Sequence, residues 1–124
     1  MKHKALKLSV LTLIFTLAIC VNAFASLYSG QKQETVNNIF VTLSVACNYD
    51  YVDGNYAIIQ TFSADAVCQG DYYAYQNSIG HTRGQCPEGA TGWADFTIRD
   101  ADGIIKGTTG VNLYISIYGE TIFS

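Results

Sequence analysis

The residue types with the greatest chemical capacity are His81 and Cys86, five positions apart in a polar, Gly-rich stretch. A cysteine becomes a nucleophile when a nearby base raises its thiolate fraction, and Asp71 or Glu88 could orient the imidazole. The same two residues are typical of a solvated loop histidine and a disulfide cysteine. No Gly-x-Ser-x-Gly elbow accompanies them. The pattern favours a structural role over catalysis, with a small thiol- or histidine-dependent enzyme as the alternative.

A second candidate is the acidic segment at Asp100, Asp102 and Gly103, which resembles the opening of a calcium loop. Ile104 and Lys106 stand where further oxygen ligands would be needed. A β-turn uses Asp and Gly equally well. The segment therefore favours a turn, with calcium as the alternative, and the sequence predicts no metal and no cofactor.

Downstream of Cys20 the chain contains three further cysteines, Cys47, Cys68 and Cys86. With His81, two of them could bind zinc, but an exported chain meets oxidising conditions that favour a disulfide. In the hairpin predicted below, Cys68 lies opposite Ile39, roughly 26 Å along the strand from Cys47. We therefore predict a Cys68–Cys86 disulfide, which would contribute about 3 kcal/mol. Cys47 is then a buried free thiol, and an odd thiol permits a disulfide-linked homodimer.

Tyrosine is the residue type that points most directly to binding, because its ring is apolar and its tip is polar. The chain has nine tyrosines. Several fall on faces predicted to point outward, and we take five of them as candidate binding residues: Tyr72, Tyr73, Tyr75, Tyr114 and Tyr118. Such a strip could stack on sugar rings or dock a protein. The alternative is that these rings cover a second sheet or serve cross-strand pairing.

The elements that must position these residues are β-strands. From Ile39 to Cys47, apolar residues alternate with smaller or polar ones, which is typical of a half-buried strand. Asp53-Gly54 predicts a two-residue hairpin turn with positive φ at both positions. That turn places Val45 opposite Phe62 and allows a bulge near Gln60.

The rest of the chain also has the pattern of short strands separated by loops and turns. Strands are predicted at 71–76, 93–99, 104–106 and 111–117, with a loop at Asn77–Gly92, a turn at 100–103 and a turn or bulge at 107–110. About six to seven short strands indicate an all-β fold, a small antiparallel sandwich or barrel. Residues 26–124 are predicted to form one domain.

The N-terminus has the three parts of a signal peptide. Lysines at positions 2, 4 and 7 precede an apolar run over residues 8–21, and Ala23-Phe24-Ala25 fits a cleavage site. The run is short for a membrane span. We predict a signal peptide over residues 1–25 of a bacterial protein that is secreted or periplasmic. A lipoprotein anchored at Cys20 is the alternative.

Charge excludes one class of partner. The chain has a formal net charge of −3, and residues 26–124 hold four basic against ten acidic residues, a net charge of −6. Polyanions bind to clustered Lys and Arg, so nucleic acid and anionic membranes are poor partners. We expect an exported, non-enzymatic binding module for an unknown protein or glycan. A secreted effector, toxin or inhibitor is a further alternative.

Overall fold

The computed structural model describes residues 26–124, which form seven β-strands and no helix. The strands are β1 Ser26–Val36, β2 Ile39–Val52, β3 Tyr56–Cys68, β4 Tyr72–His81, β5 Ala90–Asp100, β6 Ile105–Ile115 and β7 Thr121–Phe123. The all-β prediction is confirmed. The predicted signal peptide, and the alternative anchor at Cys20, lie outside the described residues.

The strands form two antiparallel sheets packed face to face. One has the order β1-β2-β3 and the other the order β4-β5-β6-β7. Each sheet keeps two edge strands, so the hydrogen-bond ladder does not close and the fold is sandwich-like. The barrel that the sequence also allowed is therefore wrong.

The first strand, β1, was not predicted, because most of its side chains are polar. It pairs along its whole length with β2 through a hairpin at Asn37-Asn38, where Val36 lies opposite Ile39. Both asparagines have positive φ, 52° and 66°. A two-residue turn of this kind matches the twist of the flanking strands, and asparagine tolerates the left-handed conformation.

β2 and β3 form the predicted hairpin around Asp53-Gly54, but the turn is longer than expected. Val52 lies opposite Tyr56, so three residues separate the paired positions. The Asn55 N–H donates to the Val52 carbonyl at 2.8 Å. Gly54 has a φ of 73° and Asp53 is not left-handed. The predicted two-residue turn is wrong in type and right in place.

The register of this hairpin differs from the prediction by two residues. Val45 lies opposite Ala64 rather than Phe62. One residue of the difference comes from the longer turn. The other comes from a bulge at Gln60, where a bulge was expected. Beyond the bulge the shift is even, so the side chains from Thr61 to Cys68 stay on their predicted faces. Between the turn and the bulge the shift is one residue, which places Ala57 and Ile59 on the inward side.

The core lies between the two sheets. The inward stripe predicted for β2 is buried from Ile39 to Cys47, and the stripe of β6 is buried from Val111 to Ile115. The largest side chains that are less than 2% exposed are Leu43, Ile98, Leu113, Ile115, Val41, Val111 and Cys47. Each large aliphatic one contributes about 1.5–3 kcal/mol by leaving water. This packing fixes the outward faces of the sheets.

The loop predicted over Asn77–Gly92 is too long. β4 continues to His81 and β5 starts at Ala90, which leaves only residues 82–89 between them. The ladder shifts at Asn77, between the paired positions Gln76 and Ser78. That bulge shifts the alternation of inward and outward residues by one position. The second half of β4 therefore does not continue the period-two pattern of the first half, and it was not recognised as strand.

β6 also runs further than predicted. Residues 107–110, where a turn or bulge was expected, are part of a continuous strand, and the bulge in the ladder lies one residue earlier, at Lys106, between the pairs Ile98–Gly107 and Arg99–Ile105. The turn at 100–103 is confirmed. Ile117, which the sequence placed on the inward stripe, lies past the end of β6 and is only half-buried.

The predicted Cys68–Cys86 disulfide is not formed, and the fold explains why. Cys68 ends β3, whereas Cys86 pairs with Ala57 near the start of the same strand, at N···O distances of 2.8 and 3.0 Å. Eleven residues of β3 separate the two positions, or roughly 36 Å. A disulfide requires Cα atoms within about 7 Å. Cys47, Cys68 and Cys86 are all free thiols.

Candidate functional site

The outward side of the four-stranded sheet carries four aromatic side chains. Along β5, Ala94 and Phe96 are buried, whereas Trp93 points outward and is 38% exposed. Strand pairing puts Tyr73 and Tyr75 of β4, and Tyr114 of β6, on the same outward side. We call these four side chains the aromatic face: Tyr73, Tyr75, Trp93 and Tyr114.

Trp93 lies across the backbone of β4. Its cross-strand neighbour is Gly80, and a Cβ at that glycine would sit 2.7 Å from Cζ2 and 3.0 Å from Cε2 of the indole. The ring can approach so closely because glycine has no side chain. The indole therefore rests against the backbone of β4 while 38% of the residue stays exposed.

Tyr114 also rests on a glycine; it lies on β6, two residues beyond Asn112, which is the β6 partner of Trp93. Its ring overlies Gly89, where a Cβ would lie 2.6 Å from Cε1. Its hydroxyl donates to the Glu88 carbonyl at 2.9 Å. The ring is half-buried and its orientation is fixed at both ends.

Tyr73 and Tyr75 are the most exposed members of the aromatic face, at 54% and 53%. They are two residues apart on one strand, a separation of about 7 Å. Tyr75 pairs with Thr97, four residues along β5 from Trp93. The tyrosine pair and the indole are therefore separated by about 13 Å along the strand direction.

Polar side chains fill the space between the tyrosine pair and Trp93. The Asn77 amide donates to Thr97 Oγ1 at 2.5 Å, and the Ser78 hydroxyl donates to Asp95 Oδ2 at 2.9 Å. Asn112 pairs with Trp93 from β6. The Asn77–Thr97 and Ser78–Asp95 pairs are already oriented by their hydrogen bonds, and these groups and the Asn112 amide keep further hydrogen-bonding capacity.

The charged groups at the end of the sheet near Tyr73 are engaged within the protein. Arg99 donates to the Gly103 carbonyl at 2.8 Å, and Lys106 Nζ lies 3.5 Å from Asp100 Oδ2. Hydrogen bonds from the backbone N–H groups of Ile104 and Asp102 lower the pKa of Asp100 from its ordinary value. The segment that was predicted to be a turn, with calcium as the alternative, is a turn in which the Asp100 carboxylate accepts hydrogen bonds from the backbone of the same segment.

Two of the five candidate tyrosines lie elsewhere. Tyr72 is half-buried and packs against the core cluster. Tyr118 is 58% exposed but lies in the turn after β6, beside Gly54 of the β2–β3 hairpin. The structure therefore brings together Tyr73, Tyr75 and Tyr114. Sequence reasoning missed Trp93 as their companion, although its alternation with Ala94 was visible.

His81 and Cys86 do not form a catalytic pair. His81 Nδ1 lies 2.6 Å from the Thr82 carbonyl oxygen, and Cys86 Sγ contacts the carbonyls of Gly84 and Arg83 at 3.5 and 3.9 Å. Both polar groups point at backbone, so no base is directed at the thiol. Residues 26–124 contain no cluster of three or more His, Cys, Asp or Glu suited to a metal.

The outward side of the three-stranded sheet is different in character. Its central residues are small and polar, such as Ser44 and Ser63. Phe40 and Val67 are exposed at one end, beside Cys68. Its large exposed apolar residues include Leu27, Phe40, Val52 and Val67, one of which is aromatic, whereas the opposite side of the sandwich carries four aromatic rings.

No protein-family model matches the chain, and neither the curated proteins nor the solved structures include a match. Within residues 26–124 there is no helix of the length and apolarity that a membrane span requires.

Proposed function

We propose that this chain is an exported, non-enzymatic binding module whose ligand docks on the aromatic face. The observation that carries the proposal is that four rings share one outward side of the sheet, two of them resting on glycine backbone. Exposed aromatic groups that cluster on one face are typical of binding sites.

In the free protein, the rings of the aromatic face are only partly shielded from water. A ring that is half exposed has gained only part of its transfer free energy, and covering the remainder stabilises a complex. Before binding, the Tyr114 hydroxyl is already hydrogen-bonded to Glu88 and the Trp93 indole already rests against Gly80, so less side-chain entropy is lost when a ligand covers these rings. The arrangement therefore suits binding better than it suits stabilising the fold.

Export is proposed from the composition of residues 1–25, with their basic start, apolar run and small residues near position 25. The N-terminus of the protein recovered outside the cytoplasm tests this point. We expect it to be Ser26. Recovery of the uncleaved chain in the cytoplasm would contradict export without touching the aromatic face.

The binding function is tested on an array of defined glycans and purified extracellular proteins. We expect a ligand that is bound by the wild type and lost in a Tyr73→Ala/Tyr75→Ala variant. Tyr118→Ala is the matched control, because it removes an equally exposed tyrosine remote from the aromatic face. A ligand bound equally by all three proteins would show that the binding surface lies elsewhere.

A further inference from the structure

We infer that the ligand of the aromatic face is an uncharged polysaccharide chain, which lies across the sheet and stacks sugar rings on Trp93 and the neighbouring tyrosines. This inference rests on the proposed function and adds the chemical class of the ligand.

Charge on the face argues for a neutral ligand. Its central carboxylate, Asp95, accepts a hydrogen bond from Ser78, and the cations at its end, Arg99 and Lys106, are engaged by Gly103 and Asp100. An anionic chain would need clustered Lys and Arg. A cationic one would compete with Ser78 for a single carboxylate. The face complements a partner without charge.

Ring orientation argues for stacking. Gly80 lets the indole of Trp93 rest against the strand while 38% of the residue stays exposed to a ligand. A pyranose ring has a flat side of C–H groups, which matches the negatively polarised face of an aromatic ring. Its hydroxyls project from the rim of the ring. Asn77 and Asn112 lie where such hydroxyls would find amide donors and acceptors.

The layout of the rings argues for a linear ligand. Tyr73 lies opposite Arg99 and Tyr114 opposite Thr91, so the aromatic face extends over eight residues of β5, or roughly 26 Å. It crosses from β4 to β6 as a diagonal stripe, interrupted by the row of Ser78 and Asp95. A globular partner requires a continuous apolar centre. A chain that alternates stacked rings with hydrogen-bonding groups fits the stripe.

The sequence supplies its own probe for the test, because Trp93 is the one tryptophan in the chain. The purified protein is titrated with hexasaccharides of cellulose, β-1,3-glucan, mannan and chitin, and with alginate and hyaluronan oligomers as anionic controls. We expect at least one neutral hexasaccharide to change the intensity and wavelength of Trp93 emission. The anionic oligomers should leave both unchanged.

Variants locate the effect. Tyr75→Ala is followed by the same emission and should raise the dissociation constant about tenfold or more. Trp93→Ala removes the signal, so its affinity is measured by retardation in gels containing the polysaccharide, and retardation should disappear. Circular dichroism checks that both variants fold. Tyr118→Ala should bind within about twofold of the wild type.

Three results would overturn the inference. They are no emission change with any neutral chain, a response to anionic oligomers alone, and neutral binding that survives both variants of the aromatic face. If the array described above instead finds a protein or an anionic glycan whose binding needs Tyr73 and Tyr75, the inference fails while the proposed function stands. If no ligand depends on those residues, both fail.

Discussion

Gly80→Ala isolates the contact that holds Trp93 flat on the sheet. The added Cβ would lie 2.7 Å from Cζ2 of the indole, whereas carbon atoms in ordinary contact are about 3.5–4.0 Å apart. The ring must therefore move outward by about 1 Å. Gly80 is not in the left-handed region, so alanine introduces no backbone strain of its own.

The energy of this change is small because two effects oppose each other. Overpacking costs about 1–3 kcal/mol, and replacing glycine stabilises by about 0.4–1 kcal/mol through the unfolded chain. Trp93 is 38% exposed and can swing towards solvent, so we expect the free energy of unfolding to fall by about 1 kcal/mol or less. The emission of Trp93 should shift to longer wavelength, and its quenching by acrylamide should increase.

Gly30→Ala is the matched control, because a Cβ there would lie 2.7 Å from Cε2 of Tyr28 on the other sheet. Gly30→Ala disturbs a ring that lies over a glycine but does not touch Trp93. The Trp93 emission of this variant should therefore match that of the wild type. If Gly80→Ala leaves both emission and quenching unchanged, the indole does not rest on β4. Stacking of a sugar ring on an indole held by β4 would then have no structural support.

Two further predictions concern the rest of the fold. Burial raises the pKa of the Cys47 thiol to about 11; Cys47→Ser should lower the free energy of unfolding by about 2 kcal/mol in urea titrations, because a buried hydroxyl lacks a partner, and Cys47→Ala should lower it less. Equal loss in the two variants would mean that the site is not apolar. Hydrogen bonds from Lys32 and then Thr109 lower the pKa of Glu34, so its contribution is present at neutral pH and is lost as the pH falls through the lowered pKa. At pH 7 the free energy of unfolding of the wild type should exceed that of Glu34→Gln by less than about 1 kcal/mol. At a pH well below the ordinary glutamate pKa of about 4.3, the two free energies should be equal. A difference that persists in acid would contradict the ion pair.

The inward stripes of the sandwich could be predicted because burial on one side of a strand imposes a period of two. Leu43 and Leu113 show the rule, since both are fully buried and their neighbours in sequence are not. Bulges defeat the rule locally. The extra residue at Asn77 reverses the phase of β4, so a strand that continues to His81 had the pattern of a loop.

The first strand, β1, shows a second limit. Its inward side places the ion pair of Lys32 and Glu34, which are 2.8 Å apart, between Tyr28 and Val36, the two inward residues of β1 that pack against the core. Hydrophobic alternation therefore gave no signal there. The Asn37-Asn38 pair between Val36 and Ile39 did mark a hairpin, and it was the cue that could have revealed this strand.

Only part of the candidate site could be predicted from the sequence, again because strand pairing is not encoded in a local pattern. Exposed tyrosines were recognisable by residue type, but which of them share one side depends on pairing between strands. Trp93 joins them because β5 lies between β4 and β6. The disulfide was predicted because an exported chain meets oxidising conditions. Those conditions say nothing about the length of β3, which separates Cys68 from Cys86.

The most direct test of the aromatic face is a map of amide chemical shifts in ¹⁵N-labelled protein, recorded with and without the hexasaccharide that perturbs Trp93 most. We predict that the shifted signals belong to β4, β5 and β6 and include the indole N–H of Trp93. Shifts confined to the three-stranded sheet, around Phe40 and Val67, or a spectrum that none of the sugars changes, would contradict the account.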